Sequence, residues 1–273
     1  MKNKRLIIFL SIFVFLAVIV VLSSTVFSLK TVSVQLAQVD SAEINNPDQS
    51  QEIENPEQII ESGQFRYGEN IFFCSKKTYS ARIEKANPYI RVVNIETVAP
   101  SKLVVHVAKR HECFAIKLEN KYAVIDEHLK VLKVLDVYQN NSTNAIEVKN
   151  FEIENKDVEA GDFLNNDNSF LTRLFVAFRE WNLNYDELRQ KIKNVELDYE
   201  KQGNLLVNMR SGVKIVVENS NSQISDKLNL AFSFYDTKTN RNGQPVDYTT
   251  SGTILITETE TQIYGLYKPA END

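Results

Sequence analysis

Three histidines, two cysteines and 36 acidic residues are the groups in this 273-residue chain that could ligate a metal or move a proton. Their spacing argues against either role. His106 falls on the outward side of a stretch that turns Leu103, Val105 and Val107 inward, so it reads as a solvated surface histidine. His111 and His128 are isolated, and no ligand triad has the spacing of a zinc site. No two acids are placed together by sequence for acid–base work. A Gly-x-Ser-x-Gly elbow, a P-loop and a Gly-x-Gly-x-x-Gly turn are all missing, and eight glycines leave little room for a phosphate cradle. Cys74 and Cys113 lie too far apart for a CxxC or a zinc knuckle, and two buried free thiols are the expectation unless the fold brings them together. Asn141-Ser142-Thr143 reads as a loop rather than a glycosylation site. Phe175, Phe178 and Trp181 read as core rather than a ligand box. The residues therefore predict no enzyme, no cofactor and no metal. A formal charge of -5 also excludes a general nucleic-acid binder.

What must position the remaining chemistry is a membrane and a folded body. Leu6 to Leu29 carries no charge, and its 24 residues would make a helix of about 36 Å, enough to cross a hydrocarbon core of roughly 30 Å. Lys2, Lys4 and Arg5 precede the run. Lys30 follows it, and then seven acids (Asp40, Glu43, Asp48, Glu52, Glu54, Glu57, Glu61) come before Arg66. The basic flank stays in the cytoplasm, so the body is exported. The run is long for a signal peptide and Ser23-Ser24-Thr25 is a poor cleavage site, which favours an uncleaved anchor over a cleaved leader.

The exported body begins with a half-buried strand, Thr31 to Leu36. Residues 37–54 read as a flexible acidic excursion, and the acidic stretch Asp40 to Glu61 as a solvated spacer in preference to a docking site. Asn55-Pro56-Glu57-Gln58 predicts a capped helix ending at Gly63. Tyr67-Gly68-Glu69-Asn70 is a turn. A second helix presents Tyr79, Ile83 and Ala86 and stops at Asn87-Pro88. A hairpin follows, Ile90 to Thr97 and Leu103 to Val107, around Ala99-Pro100. Strand, helix, helix, strand, strand makes a small α+β unit. Beyond His111, short strands are predicted at 114–118, 122–125, 131–135, 195–199, 205–209 and 213–217. Helices are predicted from Ser169 through Phe178, from Asn184 through Ile192, and over Ile224 to Tyr235. Thr253 to Thr261 is read as the last strand.

This order resembles the FtsQ/DivIB family of bacterial division proteins, which have one membrane helix, a POTRA domain and a mixed, mostly antiparallel β domain with helices. Gly68-Glu69-Asn70-Ile71-Phe72 resembles the family's Gly-x-Asn-Ile-Phe turn. Ile83 through Pro88, then Ile90, Ile95, Pro100, Leu103, Val105 and Val107, resembles its closing hairpin. Tyr122-Ala123-Val124-Ile125-Asp126, Leu205 to Val217, and Val246-Asp247 with Ser251-Gly252-Thr253 resemble later segments. The chain departs at Arg110-His111-Glu112-Cys113-Phe114-Ala115, where the family's Glu-Arg-x-Pro-x-Ala would supply a proline and an ion pair. It departs again at Leu129 and near Glu218, where turn glycines are common.

The resemblance implies a cytoplasmic tail 1–5, a transmembrane helix 6–29, a POTRA domain 30–111, a β domain 112–267 and a tail 268–273. It implies a single-pass division scaffold at the septum whose last strands recruit DivIC/FtsB-like and FtsL-like partners and so influence septal peptidoglycan synthases. The residues assigned to partner binding are Tyr248, Gly252, Thr253, Ile254, Leu255, Ile256 and Thr257, because a terminal strand commonly leaves one edge unpaired. A POTRA-bearing transport component that binds client polypeptides is the alternative, although no alternating segments remain here to build its usual membrane barrel.

Overall fold

Alternating Val32, Val34 and Leu36 with polar neighbours makes Thr31–Leu36 a strand, β1. The computed structural model describes residues 12–15, 25–37, 53, 55–139, 142–151, 153, 156–164, 169–181, 185–198, 203–237, 247–248 and 251–270. Most of the run expected to be an anchor, residues 1–5 and most of the acidic excursion lie outside these. Among the described residues no helix is long and apolar enough to cross a membrane. The described residues form two compact units, the first ending at Lys109 and the second starting at Arg110.

In the first unit Pro56 opens helix α1, Pro56–Gly63. Asn55 does not cap it as expected. Its backbone is left-handed, with φ 57°, which turns the side chain away from the helix N–H groups. Helix α2, Lys76–Ala86, buries Tyr79 and Ile83, while Ala86 is exposed rather than on the inner face. Strands β2, Ile90–Val98, and β3, Lys102–Lys109, form the hairpin, joined through a cis Ala99–Pro100 peptide. β3 lies between β1, which is parallel to it, and β2, which is antiparallel. The two helices cover one face, so Ile59, Phe65, Ile71, Tyr79 and Ile83 meet Leu103, Val105 and Val107 in one core.

Among the described residues the second unit holds a single mixed sheet of nine strands. In chain order these are β4 (Phe114–Lys117), β5 (Tyr122–Ile125), β6 (Val131–Leu135), β7 (Ile146–Lys149), β8 (Ile192–Asp198), β9 (Asn204–Met209), β10 (Lys214–Val217), β11 (Thr253–Glu258) and β12 (Ile263–Lys268). In space they run β12-β11-β10-β9-β8-β7-β4-β5-β6. Parallel neighbours need a crossover. Helices α3 (Ser169–Glu180) and α4 (Tyr185–Lys191) lie on the connection between β7 and β8, and α5 (Ile224–Asp236) on that between β10 and β11. Leu171, Leu174 and Phe178 of α3 and Leu228 and Phe232 of α5 sit at the expected helical spacing and fill the core over the sheet. Trp181 stacks on Phe232 with centroids 3.9 Å apart, as a core aromatic does. Cys74 and Cys113 form no disulfide; Cys113 is buried as expected, whereas Cys74 is only half-buried.

Candidate functional site

Thr253–Glu258 is not the border of the sheet. β11 pairs in parallel with β10 on one side and antiparallel with β12 on the other, from Thr253↔Lys268 to Glu258↔Ile263. Its ladder groups are therefore committed on both sides, and the expectation of an open edge at Thr253–Thr257 is corrected. Ile254 and Ile256 are fully buried core residues, and Tyr248 is also buried. Gly252, Thr253, Leu255 and Thr257 are half-buried. The border is β12, which lies beyond the expected last strand Thr253–Thr261. Ile263-Tyr264-Gly265-Leu266-Tyr267 carries the β-forming residues that could have identified it.

Several contacts seat β12. A Cβ on Gly265 would come within 2.7 Å of the Phe234 ring of α5, so only glycine lets the strand lie this close to the helix. Gly252, at φ 100°, lies where a Cβ would meet the Lys268 carbonyl at 2.6 Å. The Tyr267 hydroxyl donates to the Ser251 carbonyl at 2.6 Å, and its ring meets Tyr248 edge-on at 4.7 Å. The buried Lys227 of α5 donates to the carbonyls of Glu218 (2.9 Å) and Asn219 (2.8 Å) and pairs with Glu258 at 3.0 Å. It thereby ties the ends of β10 and β11 to the helix. Hydrogen bonds from Lys227 and then Asn219 hold the Glu258 carboxyl below the usual carboxylate range.

The exposed side of this edge is well defined. Thr259 N donates to Gln262 O at 2.9 Å across a two-residue turn. Alternation from that pair turns the N–H and C=O groups of Ile263, Gly265 and Tyr267 away from β11. Among the described residues no strand pairs with that side. The opposite border differs, because Val131 at the start of β6 bonds through its N–H to Asp162 O and through its carbonyl to Gly161 N, both at 2.8 Å. Register places Leu206, Val216, Leu255 and Leu266 side by side across β9, β10, β11 and β12. The first three are half-buried and Leu266 is 47% exposed, so an apolar row runs out to the open edge.

The residues expected to mark the POTRA unit serve its turns. Gly68 adopts φ 90°, Asn70 Oδ1 accepts from Phe72 N at 2.9 Å, and Ile71 is fully buried. The Tyr79 hydroxyl bonds the Glu69 carboxylate and accepts from Arg66 N. Burial and then Glu69 raise the Tyr79 hydroxyl's pKa. Pro88 follows the end of α2, and Pro100 shapes the hairpin. His106 faces outward and meets Glu96 at 3.0 Å. At the unit boundary the missing-ion-pair expectation is corrected. Arg110 pairs with Asp126 at 2.5 Å, both side chains buried, and Asp126 also accepts from His128 N and Lys130 N. The partner simply comes from the next hairpin, 16 residues on. Leu129, where the family commonly has glycine, takes φ 63°, and near Glu218 it is Asn219 that takes φ 49°.

Residues 50–110 match the family model described as POTRA domain, FtsQ-type. Over 180 residues, 65% of this chain and 63% of the relative, the sequence is 26% identical to the Cell division protein DivIB of Clostridium tetani. Over 79 residues, 29% of this chain and 30% of the relative, it is 34% identical to the Cell division protein DivIB of Clostridium botulinum. The match thus spans less than two thirds of either relative. A three-stranded unit with the expected turn and hairpin, followed by a mixed sheet, accompanies these likenesses, so the first unit is a POTRA domain of FtsQ type and the chain is similar to the DivIB division proteins.

Proposed function

We propose that this chain is a membrane-anchored cell-division scaffold that catalyses nothing and receives a strand from a partner along β12. The carrying observation is the unpaired side of β12 beside the row ending at Leu266. A segment laid there would meet about six outward backbone groups, each hydrogen bond contributing about 0.5–1.5 kcal/mol net. Side chains reaching Leu266 and Leu255 would give specificity. Thr253, Leu255 and Thr257 then contribute the neighbouring surface, while Tyr248, Gly252, Ile254 and Ile256 hold β12 in place from beneath.

By likeness to the DivIB relatives, the partners are DivIC/FtsB-like and FtsL-like proteins, through which the scaffold acts on septal peptidoglycan synthases. The uncharged run that begins at Leu6 is the single-pass anchor, ending before Phe27–Leu29 rather than at Leu29, because those residues are bonded into the first unit and Leu29 is buried in its core. The N-terminus is cytoplasmic and the body extracytoplasmic at the septum. Tethering there raises the effective concentration of partners anchored in the same membrane. The first unit, built on Gly68, Asn70, Ile71, Phe72, Pro88 and Pro100, helps place the scaffold at the division site.

The test replaces Leu266 with a photocrosslinking analogue in the full-length chain in dividing cells. A covalent adduct with a DivIC/FtsB-like or FtsL-like protein is expected, from a fusion concentrated at mid-cell. An adduct at Phe163, exposed elsewhere on the second unit, with none at Leu266 would reject the edge as the docking site.

A further inference from the structure

Burial accounts for most large apolar side chains of the first unit, but not for those around the Gly68 turn. Ile71 is fully buried, whereas Phe73 is 88% exposed, Tyr67 59%, Phe72 57% and Val26 44%. Apolar residues scattered singly over a surface need no explanation, but a cluster on one turn does. The turn is also fastened to a particular place. Ile71 N donates to Phe27 O at 2.9 Å, Leu29 N to Glu69 O at 2.8 Å and Gly68 N to Leu29 O at 2.9 Å, and Ser28 bridges Asn70. The Phe72 ring meets Phe27 edge-on at 5.3 Å. The exposed aromatics are thus held one hydrogen-bonded layer from Phe27–Leu29, the residues at which the uncharged run ends.

Charge in this segment differs from that of the chain as a whole. Residues 62–82 contain Arg66, Lys76, Lys77 and Arg82 against one acid, Glu69, in a chain whose net charge is -5. The Glu69 carboxylate is itself engaged by the Tyr79 hydroxyl. Aromatic rings with an apolar body suit the boundary between water and hydrocarbon, and nearby cations suit anionic headgroups.

We propose that the Gly68 turn is a lipid-seated foot, with Tyr67, Phe72, Phe73 and Val26 lying in the extracytoplasmic headgroup region of the membrane that the anchor crosses. The inference rests on reading the uncharged run that precedes Phe27 as that anchor. A foot at this point would hold the first unit against the membrane instead of leaving it to pivot about Lys30. Asn70 and Gly68 then have a common purpose: they shape a turn that buries Ile71 while presenting the next two rings to lipid.

The full-length chain, reconstituted in vesicles of phosphatidylcholine and phosphatidylglycerol, carries p-benzoylphenylalanine at Phe73, at Phe15 within the apolar run, or at Val93, which is 49% exposed on β2. Illumination should give roughly tenfold more lipid adduct at position 73 than at 93, approaching the yield at 15. Adduct at 15, with no more at 73 than at 93, overturns the foot and leaves the anchor standing. Failure at 15 overturns the anchor and the foot with it. Illumination of cells that links position 73 to a protein rather than to lipid also overturns the proposal.

Discussion

Ile256 belongs to the core of the second unit's sheet, and Leu266 ends the exposed row proposed above to receive a partner strand. Ile256 is fully buried, and its replacement by aspartate removes about 1.5–3 kcal/mol of burial and leaves a carboxylate with no partner in an apolar core. Together these approach the whole stability of a domain, typically about 5–15 kcal/mol. Ile256→Asp should therefore abolish the cooperative melt. Leu266, at 47% exposure, already faces water, so Leu266→Asp should change folding stability by about 0.5 kcal/mol or less. On binding, that carboxylate would be desolvated beside an incoming strand, at a cost of about 1.5–3 kcal/mol, or roughly 10–150-fold in affinity. The full-length protein in detergent, followed by circular dichroism and by binding to the DivIC/FtsB-like ectodomain, gives both readings. Undiminished binding by folded Leu266→Asp would refute the docking row. A native melt for Ile256→Asp would refute the burial argument.

Other substitutions probe what seats the edge. Gly265→Val should push β12 off Phe234, at a cost of about 1–3 kcal/mol, and raise amide exchange in the last hairpin before any other part of the second unit. Asp126→Ala should cost about 3–5 kcal/mol, seen as a lowered Tm, because it removes the buried carboxylate that Arg110 pairs with, and adding Arg110→Met should recover much of the loss. The depressed Glu258 carboxyl contributes stability that is complete above its ordinary value of 4.5 and lost as pH falls through the lower folded value. Protection of β11–β12 amides, corrected for intrinsic exchange, should thus fall on acidification in the native protein, and Lys227→Met should flatten the profile.

The first unit was legible because each element carries its own signal. Pro56 and Pro88 bracket the helices, alternating Val residues mark β1 and β3, and Gly68 with Asn70 marks the turn. The helical faces of α3 and α5 were equally plain. The site was less so, because which strand is the border depends on pairing order rather than on any strand's own residues. Glu260-Thr261, between β11 and β12, lacks the Asn-Gly or Asp-Gly that advertises a two-residue hairpin, so nothing in the sequence marks a return strand beyond Thr261. β7, Ile146–Lys149, is not among the predicted strands, although Ile146 and Val148 alternate inward as in the other short strands. The Arg110–Asp126 pair and the left-handed Leu129 involve contacts and backbone angles that residue types alone do not announce.

The parallel pairing of β1 with β3 has a mechanical meaning. The chain enters β1 at Thr31 and leaves β3 at Lys109, and the two strands run in the same direction through six paired positions. Tension between Lys30 and Arg110 would try to slide one strand along the other, loading the whole ladder at once rather than peeling it bond by bond. At this joint the first unit is built to bear a pull.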